Sequence, residues 1–219
     1  MPSVPHDRPF PYLDDLWRAY DGDAGARNAI EDLQWRTEAL ETWLHDLPSP
    51  ARLLELGPGT GQLAAHAARL GAHVQAIDLS DRNVEYCRQR GVSAQVGDFR
   101  ALGQLDELGF FDGIYAVNAL LHVPRAEHAP VIAGARQRLL PGGRLLVINW
   151  GGRDEEGVWT GDSYVPPRFF SLYDHAGFDA LAFAGFEVVR RELIATNSPN
   201  GLRPQLLVLR RVPIAEDER

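Results

Sequence analysis

From residue 51 onward the chain alternates two patterns. Short, nearly continuous apolar runs give way to stretches in which apolar residues recur every three or four positions. The runs "ARLLEL", "HVQAID", "SAQVGD", "FDGIYAV" and "RLLVINW" predict five strands. Between them, Gly61 to Leu70, "DRNVEYCRQR" and "AEHAPVIAGARQRLL" predict helices, the last despite Pro130. Gly71 and Gly91 stop the first two of these helices. Such alternation implies right-handed βαβ units, a parallel sheet, and helices on both of its faces. The end of the chain departs from it. "GFEVVRREL" and "QLLVLRRV" are strand-like, and the segment between them, "IATNSPNGLRP", carries turn chemistry, so the two are expected to pair antiparallel. Upstream, the stretch to about residue 47 reads as helical. "AIEDLQWRTEALETWL" brings Ile30, Leu33, Leu40, Trp43 and Leu44 near one face before Leu47-Pro48-Ser49-Pro50 ends it. Residues 151–176 fit neither pattern: Trp159, Tyr164, Phe169, Phe170 and Tyr173 stand among prolines and glycines. That is too long for a plain connection and too aromatic for a disordered one.

Composition narrows the chemistry. The chain has 219 residues, 45% of them hydrophobic, which suits one globular domain with an elaboration. A net charge of −8 argues against nucleic acid or an anionic membrane as main partner. The single cysteine, Cys87, permits no intrachain disulfide. The start, "MPSVPHDRPFPY", lacks the apolar core of a signal peptide, and no apolar run approaches the ~20 residues of a membrane span. A cytoplasmic protein is the expectation. All 22 basic residues are arginine, so P-loop, Schiff-base and Tyr-x-x-x-Lys chemistries are excluded. The seven histidines form no H-x-x-x-H pair, so no metal site is expected.

The segment "LLELGPGTG" concentrates the functional signal. Glycines at a strand's carboxyl end let the backbone turn sharply and a ligand approach, beside the free N–H groups of the next helix. In doubly wound sheets that crevice is where ligands bind. From Gly57 the frame of a dinucleotide loop fails at Gln62, but from Gly59 it reads G-T-G-Q-L-A, which leaves NAD open. Glu55, near the strand tip, would repel a pyrophosphate and attract a ligand ammonium. Asp78, at the tip of the second strand, has the spacing of a carboxylate that meets ribose hydroxyls. At the tip of the third, Asp98 can accept from an exocyclic amine and Phe99 can cover a purine.

With these residues in place, the chain resembles the class I S-adenosylmethionine-dependent methyltransferases from about residue 50 to 212. "LLELGPGTG" looks like that family's first motif, "AIDLS" its acidic second-strand tip and "VGDF" its adenine motif. "FDGIYAVNALLHVPR" and "LLPGGRLLV" resemble its fourth strand and the turn into its fifth. The resemblance implies a Rossmann-like α/β sheet of order 3-2-1-4-5-7-6 with an antiparallel last strand. It divides one domain, 1–219, into a helical cap (1–47), a cofactor-binding core (48–150), an acceptor-side insertion or lid (151–176) and a C-terminal strand pair (177–212). It also implies that S-adenosylmethionine is bound, and S-adenosylhomocysteine released, at Glu55, Gly57, Gly59, Thr60, Gly61, Asp78, Leu79, Asp98, Phe99 and Asn118.

Methyl transfer from a sulfonium is an in-line displacement, and needs a base only if the acceptor must lose a proton early. His122, just beyond the fourth strand, is the candidate base, ahead of His128 and His175. Tyr20, Trp159, Tyr164, Arg168 and Phe169 are the candidate acceptor contacts, with Phe170 and Tyr173 beside them, and Trp17 and Tyr20 are placed to close over the cofactor. The expected function is methyl transfer to an oxygen or nitrogen of a small molecule. An NAD-dependent oxidoreductase and a non-catalytic S-adenosylmethionine-binding module are the alternatives.

Overall fold

The computed structural model describes residues 11–30, 34–196 and 201–213. Two helices, α1 (Pro11–Asn28) and α2 (Gln34–Leu44), precede the sheet. The core then runs β1 (Arg52–Leu56), α3 (Gln62–Arg69), β2 (His73–Asp78), α4 (Asp81–Gln89), β3 (Ser93–Val96), β4 (Phe111–Val117), α5 (Arg125–Arg138) and β5 (Leu139–Gly151). Two short strands follow, β6 (Glu155–Val158) and β7 (Phe169–Leu172), then the short helix α6 (His175–Asp179), β8 (Phe186–Leu193) and β9 (Arg203–Arg211).

The main sheet has seven strands in the order β3-β2-β1-β4-β5-β9-β8. The first five are parallel, and β9 pairs antiparallel with both β5 and β8. Once the insertion's β6 and β7 are set apart, this is the 3-2-1-4-5-7-6 order with its antiparallel finish. The near-continuous apolar runs exist because the central strands β1, β4, β5 and β9 are buried on both sides, whereas the edge strands β3 and β8 are not. Successive residues face opposite ways. Leu54, Ile114, Leu145 and Leu207 pack on one face with α5, while Leu53, Tyr115, Leu146 and Leu206 pack on the other with α2 and α3. Each fully buried leucine contributes about 1.5–3 kcal/mol.

Three expectations are corrected. The apolar face read across residues 29–44 is not one face, because α1 ends at Asn28 and α2 begins at Gln34. Ile30 lies past the end of α1 and is 63% exposed, Leu40 and Trp43 are buried, and Leu33 lies outside the described residues. Residues 151–176 are not simply a long loop, since β6 and β7 pair as an antiparallel hairpin. The hairpin is fastened to the start of α5 by Arg125. Its N–H donates to Glu156 at 2.7 Å, its guanidinium donates to the Leu172 carbonyl and pairs with Asp154 at 2.6 Å, and its charge lies over the Tyr173 ring. Third, Asp98 is not a free acceptor, as described below.

α1 is docked on the opposite side by Asp21. Its Oδ1 accepts from the Ser80 hydroxyl at 2.7 Å and from the Arg82 N–H at 3.1 Å. Ser80 also N-caps α4, accepting from the Asn83 N–H at 3.1 Å, an interaction worth about 1 kcal/mol. One serine thus joins the cap helix to the β2 tip.

Candidate active site

A cavity of about 670 Å³ opens at the carboxyl ends of β1, β2 and β4, between α1 and the insertion hairpin. Its floor is the glycine loop. Gly57 and Gly61 have φ of +68° and +82°, which disfavours any side chain. A Cβ on Gly57 would stand 2.7 Å from the Ala119 Cβ, and one on Gly61 2.7 Å from the Cys87 Sγ. Both positions are needed for close packing. The loop backbone reaches β2 twice: the Gly57 N–H donates to the Ile77 carbonyl at 2.8 Å and the Gly59 N–H to Asp78 Oδ2 at 3.0 Å.

The acidic residues of the strand tips are each partly engaged. Glu55, 2% exposed, accepts from the Tyr115 hydroxyl at 2.9 Å. The two lie side by side in the β1–β4 register. Burial and the Glu55 carboxylate hold the Tyr115 phenol well above its usual value. Asp78 ends β2 and is 7% exposed. Besides Gly59 it accepts from the Ser80 N–H at 2.9 Å and the Asn83 amide at 3.2 Å, both on Oδ1. Burial pushes its pKa up to about 6 against those hydrogen bonds. Asp98 is gripped by Arg100 through both oxygens, Oδ1 at 3.0 Å and Oδ2 at 2.6 Å, and caps the following 3₁₀ turn. That ion pair, extended by Arg100 to Glu127 and to the Tyr12 hydroxyl, occupies much of the acceptor capacity read into Asp98.

Asn118 follows β4 with φ +55°, a left-handed conformation asparagine tolerates. Its Oδ1 accepts from the Trp150 N–H at 3.2 Å, while its Nδ2 is buried with no hydrogen-bond partner. The residue lines the cavity.

At the other end of the cavity His122 is 5% exposed. Its Nδ1 faces the Phe169 carbonyl at 2.7 Å. A carbonyl only accepts, so Nδ1 carries the ring proton and Nε2 is an acceptor. The Tyr20 hydroxyl donates to Nε2 at 2.5 Å, and the Tyr20 oxygen accepts from Arg168 Nη1 at 3.0 Å. Burial first, and the Arg168 guanidinium second, push the His122 pKa down to about 3. Arg168 is paired bidentately with Asp162, at 2.7 and 2.8 Å, and its guanidinium lies 3.5 Å from the Tyr164 ring centroid. Arg27 of α1 donates to the Tyr164 hydroxyl at 2.9 Å. Trp159 packs edge-on against Phe170.

Of the expected site residues, Glu55, Gly57, Gly59, Asp78, Leu79, Asp98, Phe99, Asn118, His122, Tyr20, Trp159, Tyr164 and Arg168 all line this cavity. Thr60, Gly61 and Phe169 do not, nor do Trp17 and Tyr173. Thr60 is 2% exposed and its hydroxyl donates to Gln62, Gly61 packs on Cys87, and the Phe169 ring stacks on Tyr12 while Phe170 takes the cavity-facing position. His128 is turned to backbone carbonyls of Leu120 and Val123. Among the described residues no group of three or more potential ligands is placed to hold a metal. Leu13, Leu16 and Arg27 were missed, although Leu13, Leu16, Tyr20, Ala24 and Arg27 repeat at helical spacing and define the inward face of α1.

Residues 54–147 match the family model of a methyltransferase domain. A ubiquinone biosynthesis O-methyltransferase of Xanthomonas oryzae pv. oryzae is 36% identical over 102 residues, 44% of this chain and 42% of that protein. An S-adenosyl-L-methionine-dependent Diels-Alderase of Talaromyces variabilis is 32% identical over 127 residues, 54% of this chain and 42% of that protein. The matches thus span less than half the length of these curated relatives. Among solved structures, the 1,6-didemethyltoxoflavin-N1-methyltransferase of Burkholderia thailandensis, with bound 1,6-didemethyltoxoflavin and S-adenosylhomocysteine, superposes with a TM-score of 0.68. It is 18% identical, with 97% of this chain and 92% of that one covered. The matched segment runs from β1 through β5, and with the sheet order described above the fold is the Rossmann-like fold of S-adenosylmethionine-dependent methyltransferases.

Proposed function

We propose that this protein is an S-adenosylmethionine-dependent methyltransferase acting on an oxygen or nitrogen of a small molecule. One observation carries the reading: a single cavity joins the acidic strand tips around the glycine loop to an aromatic, arginine-bearing chamber. Its volume falls in the range of pockets for small organic ligands. The residues present fit the cofactor. The buried Nδ2 of Asn118 awaits an acceptor, Asp78 Oδ2 keeps acceptor capacity beyond Gly59, and Glu55 sets a carboxylate where an ammonium is stabilised.

When bound, S-adenosylmethionine supplies a methyl group already activated on a sulfonium sulfur. What remains for the protein is orientation and exclusion of water. Glu55, Asp78 and Asn118 hold and orient from the strand tips. Tyr20, Tyr164, Trp159 and Phe170 wall the acceptor chamber. His122, neutral down to about pH 3, is a weak base. Its fixed tautomer serves to aim the Tyr20 hydroxyl, whose remaining lone pair can accept from an acceptor O–H or N–H. The chemistry therefore favours an acceptor that reaches the site ionised or as a free amine. The compartment consistent with this reading is the cytoplasm. Among the described residues no helix is long and apolar enough to cross a membrane.

Calorimetry tests the reading. S-adenosylhomocysteine is expected to bind near one per chain and NAD far more weakly. Tight NAD binding with no response to either sulfur nucleotide would return the oxidoreductase to the front. Consumption of S-adenosylmethionine with a methylated product separates a transferase from a protein that only holds the cofactor.

A further inference from the structure

Two guanidinium groups, Arg168 and Arg27, line the cavity on its acceptor side. Arg168 is matched by Asp162, whose side chain is 2% exposed. Arg27 has no such match. Among the described residues no carboxylate lies within ion-pairing distance of it. Its Nη1 donates to the neutral phenol of Tyr164, the Tyr20 ring lies 5.4 Å from its charge, and its Nε is buried with no partner. A desolvated guanidinium without a counter-ion is costly, and the cost is recovered when an anion enters. The cavity is where one can enter, since Arg27 lines it.

We infer that Arg27, with the Tyr164 hydroxyl beside it, forms an anion subsite for the acceptor, and that the acceptor is a planar aromatic or conjugated molecule bearing a carboxylate or an ionised hydroxyl. This rests on the methyltransferase reading for the word acceptor, but not for the binding itself. The planar part of the inference comes from the walls. Tyr20, Tyr164, Phe170 and Trp159 face the same space and offer ring surfaces for stacking. The anionic part comes from Arg27, whose forked donors suit a planar anion. The subsite spans two elements far apart in sequence, α1 and the hairpin loop, so it exists only when both are folded over the cavity.

The cofactor's own carboxylate is the rival source of negative charge, because Arg27 Nη2 also stands 3.6 Å from where a Gly59 Cβ would be. The arrangement favours the acceptor. Tyr164, which accepts from Arg27, and Tyr20, whose ring lies against its charge, are joined to Arg168 and His122.

The test uses the full chain and matched probe pairs: 3,4-dihydroxybenzoate against 3,4-dihydroxybenzamide, and 4-hydroxycinnamate against its amide. Binding is read by calorimetry with and without saturating S-adenosylhomocysteine. Each acid is expected to bind at least about tenfold tighter than its amide, the size of one charged hydrogen bond. Arg27→Gln should remove that preference by weakening the acids alone, Arg27→Lys should restore part of it, and Tyr164→Phe should reduce it without disturbing the fold. S-adenosylhomocysteine affinity should change by less than about threefold in all three variants. Equal affinity of acids and amides in the unaltered protein, or no saturable binding by any of the four probes, overturns the inference. It is also overturned if Arg27→Gln weakens S-adenosylhomocysteine about tenfold while leaving 5′-methylthioadenosine, which lacks the carboxylate, unaffected. If the unaltered protein fails to bind S-adenosylhomocysteine at all, the methyltransferase reading falls, and the acid-over-amide comparison without it still decides the subsite.

Discussion

At Asp78 burial and hydrogen bonding pull in opposite directions, and burial wins, leaving its pKa at about 6 instead of 3.8. A folded value above the unfolded one means that its stabilising contribution is complete below about pH 3.8 and lost as pH rises through about 6. Roughly two units correspond to about 3 kcal/mol spent on keeping a buried carboxylate charged at neutral pH. A ribose hydroxyl donating to Oδ2 would lower that pKa, so cofactor binding near pH 6 should release protons. Calorimetry of S-adenosylhomocysteine in buffers of differing ionisation heat should show this release. Affinity should fall as pH drops below 6, and Asp78→Asn should abolish both effects and weaken binding at least about tenfold. Unchanged proton release in the variant would remove Asp78 from ligand contact. His122 carries the opposite sign. Its folded value, about 3, lies below its ordinary 6.5, so its contribution is complete above pH 6.5 and lost as pH falls toward 3. The swing is on the order of 5 kcal/mol. Denaturant unfolding at pH 7 and 4.5 should therefore show a smaller loss of stability in His122→Gln than in the unaltered protein. For the same reason no kcat limb near pH 6.5 should arise from His122. A limb at that pH which vanishes in the variant would mean that His122 is far more basic, and more solvated, than its packing implies.

Among the elements, the hairpin β6–β7 depends on one arginine outside it. Arg125 reaches Glu156, Leu172 and Asp154 from the start of α5, and the Ser171 hydroxyl donates to the Val123 carbonyl at 2.7 Å. Arg125→Ala should free the hairpin while leaving the strand tips alone. Proteolysis within 151–176 should accelerate and acceptor KM should rise several-fold, while S-adenosylhomocysteine affinity stays within about twofold. Equal weakening of both ligands, with a lower Tm, would make the hairpin part of the general scaffold. The uneven legibility of the sequence has the same physical root. Strands β1 and β4 could be read because burial on both faces leaves unbroken apolar runs, and the carboxylate of Glu55 because it interrupts one. Ile30 misled because helical spacing continues across a break in the chain's path, which no periodicity records. The hairpin escaped because its strands are four residues each and its ties are to Arg125 and to backbone carbonyls over 40 residues away. Arg27 escaped because a lone arginine at the end of a helix looks like a solvated charge until Tyr164 is placed against it.

For the molecule as a whole, the site is closed by contacts between parts that share no sheet. α1 meets the hairpin through Arg27–Tyr164, Tyr20–Arg168 and the stacking of Tyr12 on Phe169, and both meet the segment after β4 at His122. The sheet supplies rigid strand tips, and the roof over them is held by a few polar bonds. Such regions open at lower free energy than a core. Ligand entry then requires the roof to part, and ligand retention requires it to close. A double-mutant cycle with Tyr20→Phe and Arg168→Gln measures that closure. Removing either partner of a part-buried hydrogen bond to a charged group is expected to cost about 1.5–3 kcal/mol, and the coupling between them should be about 1 kcal/mol or more if the bond persists in solution. The same variants should speed dissociation of a bound acceptor more than they slow its association, because the roof holds that ligand in rather than guiding it. Coupling near zero, with dissociation unaltered, would mean that α1 and the hairpin stand apart in the free protein. Tyr20 would then meet His122 only after ligands have drawn the two together, and coupling measured again with S-adenosylhomocysteine bound should rise.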